Sequence, residues 1–235
     1  MSLARKQFAV IVCLMLAISM LTGCGSEAKK EMQTAVSSAN ELIEKTGKPY
    51  DAATKKNLEK AIASADGAKD DDAYVKVTKK VKTTARAYQN SVKQLKQVTN
   101  PKEAFLIERA KTVGTITNVE TATEENDPNK LLGKSDGYTS YIAMKSSLVT
   151  DDYYKDMSPV EAGVNGGAVI EAYKTKKDAK AREKYLASFD GSGALSSGSH
   201  MVIGTLVVRT SNELTATQQK ELEKNIIDAL IRLED

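Results

Sequence analysis

Glu124, Glu125, Asn126, Asp127, Asn129 and Asp136 gather oxygen donors within 13 residues. Calcium takes six to eight oxygen ligands, so Glu125, Asp127, Asn129 and Asp136 form a candidate cation loop. The spacing lacks the alternating ligands of an EF-hand. The other reading is a solvated turn at Asp127-Pro128-Asn129, and no bound metal or cofactor is expected. Ser199 and His200, with Asp190 ten residues earlier, are the parts of a hydrolytic triad, and the chain has only this one His. There is no Gly-x-Ser-x-Gly elbow, and adjacent side chains on a strand point to opposite faces. We therefore expect a structural His200 and no catalytic residue. Asp190, Gly191, Gly193, Gly198 and Ser199 make a small-residue loop without the Lys-Ser/Thr of a phosphate-binding loop. Open parallel sheets bind ligands at the carboxyl ends of their strands. This places a candidate ligand contact at Arg209, Ser211 and Asn212; the alternative is that Arg209 pairs with a helix carboxylate such as Glu213.

The chain that must position these residues has 235 residues, 34 Lys+Arg, 31 Asp+Glu and two Cys. That length and composition allow one or two domains and exclude a polytopic membrane protein. With so few Cys and one His, a disulfide scaffold and a His/Cys zinc site are excluded as well. Arg5 and Lys6 precede an apolar run over residues 8–20, which is 13 residues long and too short to span a bilayer. Leu21-Thr22-Gly23-Cys24 follows. This order resembles the bacterial lipobox. The resemblance implies diacylglyceryl transfer to the Cys24 thiol, cleavage before Cys24 and acylation of the new amino group. Residues 1–23 are then a signal peptide and residues 24–30 a lipidated tether. Cys13 leaves with the signal, so no thiol stays free for catalysis.

Residues 24–99 carry 15 basic and 10 acidic side chains, and residues 100–235 carry 17 and 21. The basic part invites attraction to anionic lipid or wall polymer, or is simply a solvated helix surface. Its apolar residues recur at helical spacing: Met32, Ala35, Val36, Ala39, Leu42 and Ile43, then Leu58, Ala61, Ile62 and Ala65. Tyr74, Val81, Tyr88 and Leu95 fall seven apart in a third run. Residues 31–99 are expected to form a three-helix bundle with a thin, Ala-rich core. Tyr50-Asp51-Ala52-Ala53 after Pro49, with Leu58-Glu59-Lys60-Ala61-Ile62, resembles the FIVAR module of bacterial surface proteins. The resemblance implies an extracellular spacer or adhesion unit.

Residues 100–235 read as an α+β domain. Asn100, Pro101 and Glu103 suggest the N-cap, N1 and N3 of a helix. Residues 115–123, 138–144, 168–173 and 201–209 read as strands, the last apolar on both faces. Thr175 and Thr215 cap two further helices. A right-handed crossover would make strands 168–173 and 201–209 parallel, giving a four-stranded mixed sheet with helices on one face, like a plait. Glu125-Asn126-Asp127-Pro128-Asn129, Gly137-Tyr138-Thr139, Gly166-Gly167, residues 185–191 and Gly198-Ser199-His200 resemble an uncharacterised family of extracellular lipoproteins of Gram-positive bacteria. The resemblance implies fold and address but no activity.

Together these readings predict a non-enzymatic lipoprotein on the extracytoplasmic face of the cell membrane. Its partners would be the bilayer, through the acyl chains on Cys24, and a cell-wall polymer, glycan or surface protein. Nucleic acid is not an expected partner. The alternatives are a solute-binding component of a transporter or an extracellular hydrolase.

Overall fold

A computed structural model describes residues 26–191 and 198–234. Residues 1–23, read above as a signal peptide, together with Cys24 and Gly193, lie outside the described residues. The chain divides into two compact units between Val92 and Lys93. No described helix is long and apolar enough to cross a membrane.

The first unit is built from α1 (Glu27–Lys45), α2 (Ala52–Ala63) and α3 (Asp71–Gln97), the last of which carries the division. Helix α1 starts at Glu27, so residues 27–30, read as tether, are its first turn. Each helix is capped by the side chain before it. Ser26 accepts from the Lys29 amide, Asp51 from Ala53 and Asp70 from Ala73, each satisfying an amide with no partner inside the helix. The shared core holds Met32, Ala39, Leu58, Ala61, Val77, Val81 and Tyr88. Of the residues spaced seven apart in α3, Val81 and Tyr88 are buried, while Tyr74 and Leu95 are half-buried. The Tyr88 hydroxyl donates to the Gly47 carbonyl at 3.1 Å and accepts from the Thr46 hydroxyl at 3.0 Å. An aromatic ring fits this small core because its polar tip is satisfied.

The second unit is mixed α+β. Its sheet has five strands, not four: β1 (Ile116–Thr121), β2 (Ser140–Ser146), β3 (Gly167–Ala172), β4 (His200–Ile203) and β5 (Leu206–Thr210). The order is β1-β2-β3-β5-β4, and every pair is antiparallel. The expected mixed sheet fails at one place. Residues 201–209 are not one strand but most of a hairpin, turned at Gly204-Thr205. Gly204 has φ +56°, as the first central residue of a type II′ turn requires. The hairpin reverses the chain, so β5 meets β3 antiparallel and no parallel crossover forms.

Four helices complete the unit: α4 (Glu103–Ala110), α5 (Pro159–Ala162), α6 (Lys176–Ala187) and α7 (Ala216–Ile231). They cover both faces of the sheet, not one. α5 and α6 pack on the face of Tyr141, Ala143, Val169 and Val207. α4 and α7 contact the strands and each other, and serve the face of Ile142, Met144, Ile170 and Val208. Strands β3 and β5 are buried at every position, which only two-sided cover allows. Asn100 does not cap α4. It has φ +51°, and its amide donates to the Thr205 hydroxyl at 2.7 Å, so the helix begins at Glu103.

Candidate functional site

One charged side chain stands in the middle of a buried strand. Glu171 of β3 is fully buried and shares its face with Tyr141 and Val169. A carboxylate there must find partners, since an isolated buried charge costs several kcal/mol or more. It finds four donors. Arg182 of α6 grips both oxygens, its Nε at 2.8 Å and a terminal nitrogen at 2.9 Å. Arg209 of β5 adds a terminal nitrogen at 2.8 Å, and the Tyr173 hydroxyl donates at 2.8 Å. Burial alone would raise the Glu171 pKa. The hydrogen bonds and charge of Arg182, the charge of Arg209 and the Tyr173 bond outweigh it and hold the carboxyl below its usual range. Burial and the neighbouring Glu171 push the Tyr173 hydroxyl up. The carboxylate is therefore ionised, and its oxygens are occupied by donors.

A second polar cluster adjoins this one through aromatic rings. Tyr138 stacks at a tilt on Tyr141 (5.4 Å) and edge-on to Tyr173 (6.1 Å). Its hydroxyl donates to Asp127, which is 3% exposed. Asp127 also accepts from the amides of Asn129 (3.1 Å), Leu131 (2.6 Å) and Leu132 (2.8 Å). Burial raises its pKa, but the Tyr138 bond and the three amides more than reverse this, and the carboxyl titrates below its ordinary range. Burial, with the Asp127 bond, drives Tyr138 upward.

Of the four cation-loop residues, only Asp127 and Asn129 come together, at the Tyr138 hydroxyl. Asp127 spends its oxygens on the Tyr138 hydroxyl and three backbone amides. Glu125 and Asp136 are exposed, and no group of three or more acidic, His or Cys side chains is placed to hold a metal among the described residues. Melting curves recorded in calcium and in chelator are expected to superimpose. A rise in melting temperature with calcium would show that the loop binds it.

Ser199 and His200 point apart. The Ser199 hydroxyl donates to Glu223 of α7 at 2.6 Å. His200 sets Nε2 3.2 Å from Asp190 and Nδ1 3.7 Å from Glu183, on the side of the sheet that carries α6. His200 faces carboxylates from both nitrogens, and Ser199 turns away from it to Glu223, so Asp190, Ser199 and His200 do not form a triad. Arg209 and Ser211 are buried and Asn212 is exposed. Arg209 pairs with Glu171 and not with Glu213. Ser211 donates to the Asn165 carbonyl at 3.0 Å and accepts from the Glu213 amide at 3.1 Å. The strand-end argument that grouped these residues assumed a parallel sheet; here β3 and β5 are antiparallel neighbours whose carboxyl termini lie at opposite ends of the sheet.

Glu171, Arg182, Tyr173 and Tyr138 escape a search for motifs. The available signal was the lone Glu in the apolar run AVIEAY, which demands a buried cation once the strand is central. The cluster ties α6, β3 and β5 to one carboxylate. The chain matches no protein-family description, no curated protein and no solved structure.

Proposed function

We propose that the protein is a lipid-anchored extracytoplasmic lipoprotein. On this reading a FIVAR-type three-helix spacer carries an α+β domain that binds a surface ligand without transforming it. The observation that carries this reading is the order of residues 5–24: a basic pair, a 13-residue apolar run and Leu-Thr-Gly-Cys. Two or three acyl chains, at about 0.8 kcal/mol per buried CH₂, would hold the chain stably at a bilayer, where one chain is marginal. The short reach from Cys24 to Glu27 suits a folded unit held close to that bilayer. The non-enzymatic part draws support from Glu171, Asp127, Ser199 and His200, each of which is engaged with another side chain or a backbone amide.

Growth with an alkyne fatty acid tests the anchor. The wild-type chain is expected to take up label and to sediment with membranes. Cys24→Ser is expected to lose the label entirely and to keep its leader. Equal labelling of the two would refute the lipoprotein reading. Crosslinking on intact cells, followed by mass spectrometry, then seeks the ligand; a spectrum without any glycan or surface protein counts against a binding role.

A further inference from the structure

We propose that helix α3 docks a linear, phosphate-bearing polymer along its exposed side. The argument starts from an asymmetry in its sequence. The only acidic residues of α3 are Asp71 and Asp72, in its first turn. From there to the end of the helix every charged residue is basic. Lys76, Lys79, Lys80, Lys82 and Arg86 are all exposed, and among the described residues none of the five forms an ion pair. Their spacing sets like charges side by side. Lys76 and Lys80, and Lys82 and Arg86, are four apart; Lys79 lies three from both Lys76 and Lys82. Side chains three and four apart are neighbours, so the helix repels itself where alternating charge would have stabilised it. A bound polyanion relieves that repulsion.

The shape of the charged strip favours a chain over a flat surface. It runs along the helix for about 15 Å, at 1.5 Å per residue from Lys76 to Arg86. Lys79, Lys82 and Thr83 line an open groove of about 290 Å³ with Glu31, Val75 and Thr78, whose hydroxyl is already spent on the Tyr74 carbonyl, so Thr83 adds a hydroxyl beside the charge. The orientation of the unit argues against the bilayer itself as the occupant. Glu31 of α1 stands by the start of α3, and Thr46 reaches Tyr88 farther along, so α1 and α3 run in the same direction. The end that follows Cys24 therefore carries Glu27, Asp66, Asp70, Asp71 and Asp72 against Lys29, Lys30 and Lys69. Acids outnumber bases there, and an anionic lipid surface would be repelled. The basic side lies along the unit, away from that end.

That such a polymer meets the protein outside the cell rests on the proposed anchoring; the binding itself does not. The test therefore uses the chain from residue 24 with Cys24→Ser, which keeps every described residue and needs no lipid. The probe is long-chain inorganic polyphosphate, titrated by fluorescence anisotropy beside phosphatidylglycerol vesicles. Five phosphate contacts predict a fall in affinity of about a hundredfold between 0.05 and 0.2 M salt. Lys79→Glu/Lys82→Glu/Arg86→Glu is expected to lose at least about tenfold in affinity, because each lost contact removes released counterions. The control Lys48→Glu/Lys56→Glu/Lys60→Glu has the same net charge elsewhere in the unit and is expected to bind like the parent. Circular dichroism confirms that both variants keep their helices. An equal loss in both variants, no polyphosphate binding, or vesicle binding in place of polyphosphate binding would each overturn the proposal.

Discussion

Glu171→Ala is expected to destabilise the second unit by about 4 kcal/mol, the cost of leaving buried charges without their partner. Two guanidinium groups lose their shared carboxylate at once, and Arg182 and Arg209 have side chains only 10% and 9% exposed. Arg209 is hit hardest, since its Nε is already buried without a hydrogen-bond partner. Urea denaturation followed by tyrosine fluorescence reads the change as a lower midpoint. The contrasting variant removes all three charges: Glu171→Leu/Arg182→Leu/Arg209→Met. Replacing a whole buried ionic group with apolar side chains is often neutral or better, so this variant is expected to recover most of the lost stability. If the single and triple variants fall equally, the carboxylate is not what holds the arginines in place.

The two buried polar clusters set a pH window. Glu171 and Asp127 have folded pKa values below their ordinary range. The unfolded chain therefore binds protons first as pH falls, and stability rises with pH across that region. Their contribution is complete above about pH 5 and is lost as pH drops through 4 and below. Tyr138, Tyr141 and Tyr173 are shifted upward, chiefly by burial. Their neutral form is favoured in the fold, so their contribution holds below about pH 10 and is lost above it. The urea midpoint of the wild-type chain should be flat between those limits. In Glu171→Ala the acid-side slope should shrink, because one of its two causes is gone.

Gly204→Ala is expected to cost about 3 kcal/mol, from a disallowed turn conformation together with overpacking. At φ +56° a side chain is strained to begin with. A Cβ there would lie 2.1 Å from the Val98 carbonyl oxygen, a backbone atom that cannot swing aside. That carbonyl accepts the Thr205 amide at 3.1 Å, and the Thr205 hydroxyl accepts the Asn100 amide at 2.7 Å. The substitution therefore disturbs the β4–β5 hairpin together with the chain entering α4. Thermal unfolding of Gly204→Ala beside Gly191→Ala makes the comparison. Gly191 also has positive φ, at +77°, but a Cβ there meets nothing within 4 Å. A loss at Gly204 no larger than that at Gly191 would mean that the close approach to Val98 is unimportant.

These effects show why some features were legible early. The helices of the first unit follow from apolar residues at helical spacing, while the caps at Ser26 and Asp70 emerged only in the structure. Thr175 and Thr215 cap α6 and α7, because a side-chain oxygen three residues before an orphan amide needs no distant partner. The candidate contact Arg209-Ser211-Asn212 failed for a nonlocal reason. Its logic depended on strand direction, and direction turned on whether Gly204 bends the chain or continues a strand. A continuous apolar run hides that choice, since β5 is buried on both faces and Ile203, the last residue of β4, is buried as well.

The sequence by itself determined what depends on neighbours in the chain: the targeting pattern before Cys24 as a pattern, the split between basic and acidic halves, and the capped starts of α6 and α7. Only the tertiary structure decided what depends on residues far apart. It set the antiparallel order of five strands, the helices on both faces, the pairing of Arg209 with Glu171, and the use of Asp127 as a loop anchor. The reason is the same in each case. A buried charge or a strand edge can be satisfied by many residues along the chain, and only the packed arrangement selects which of them arrives.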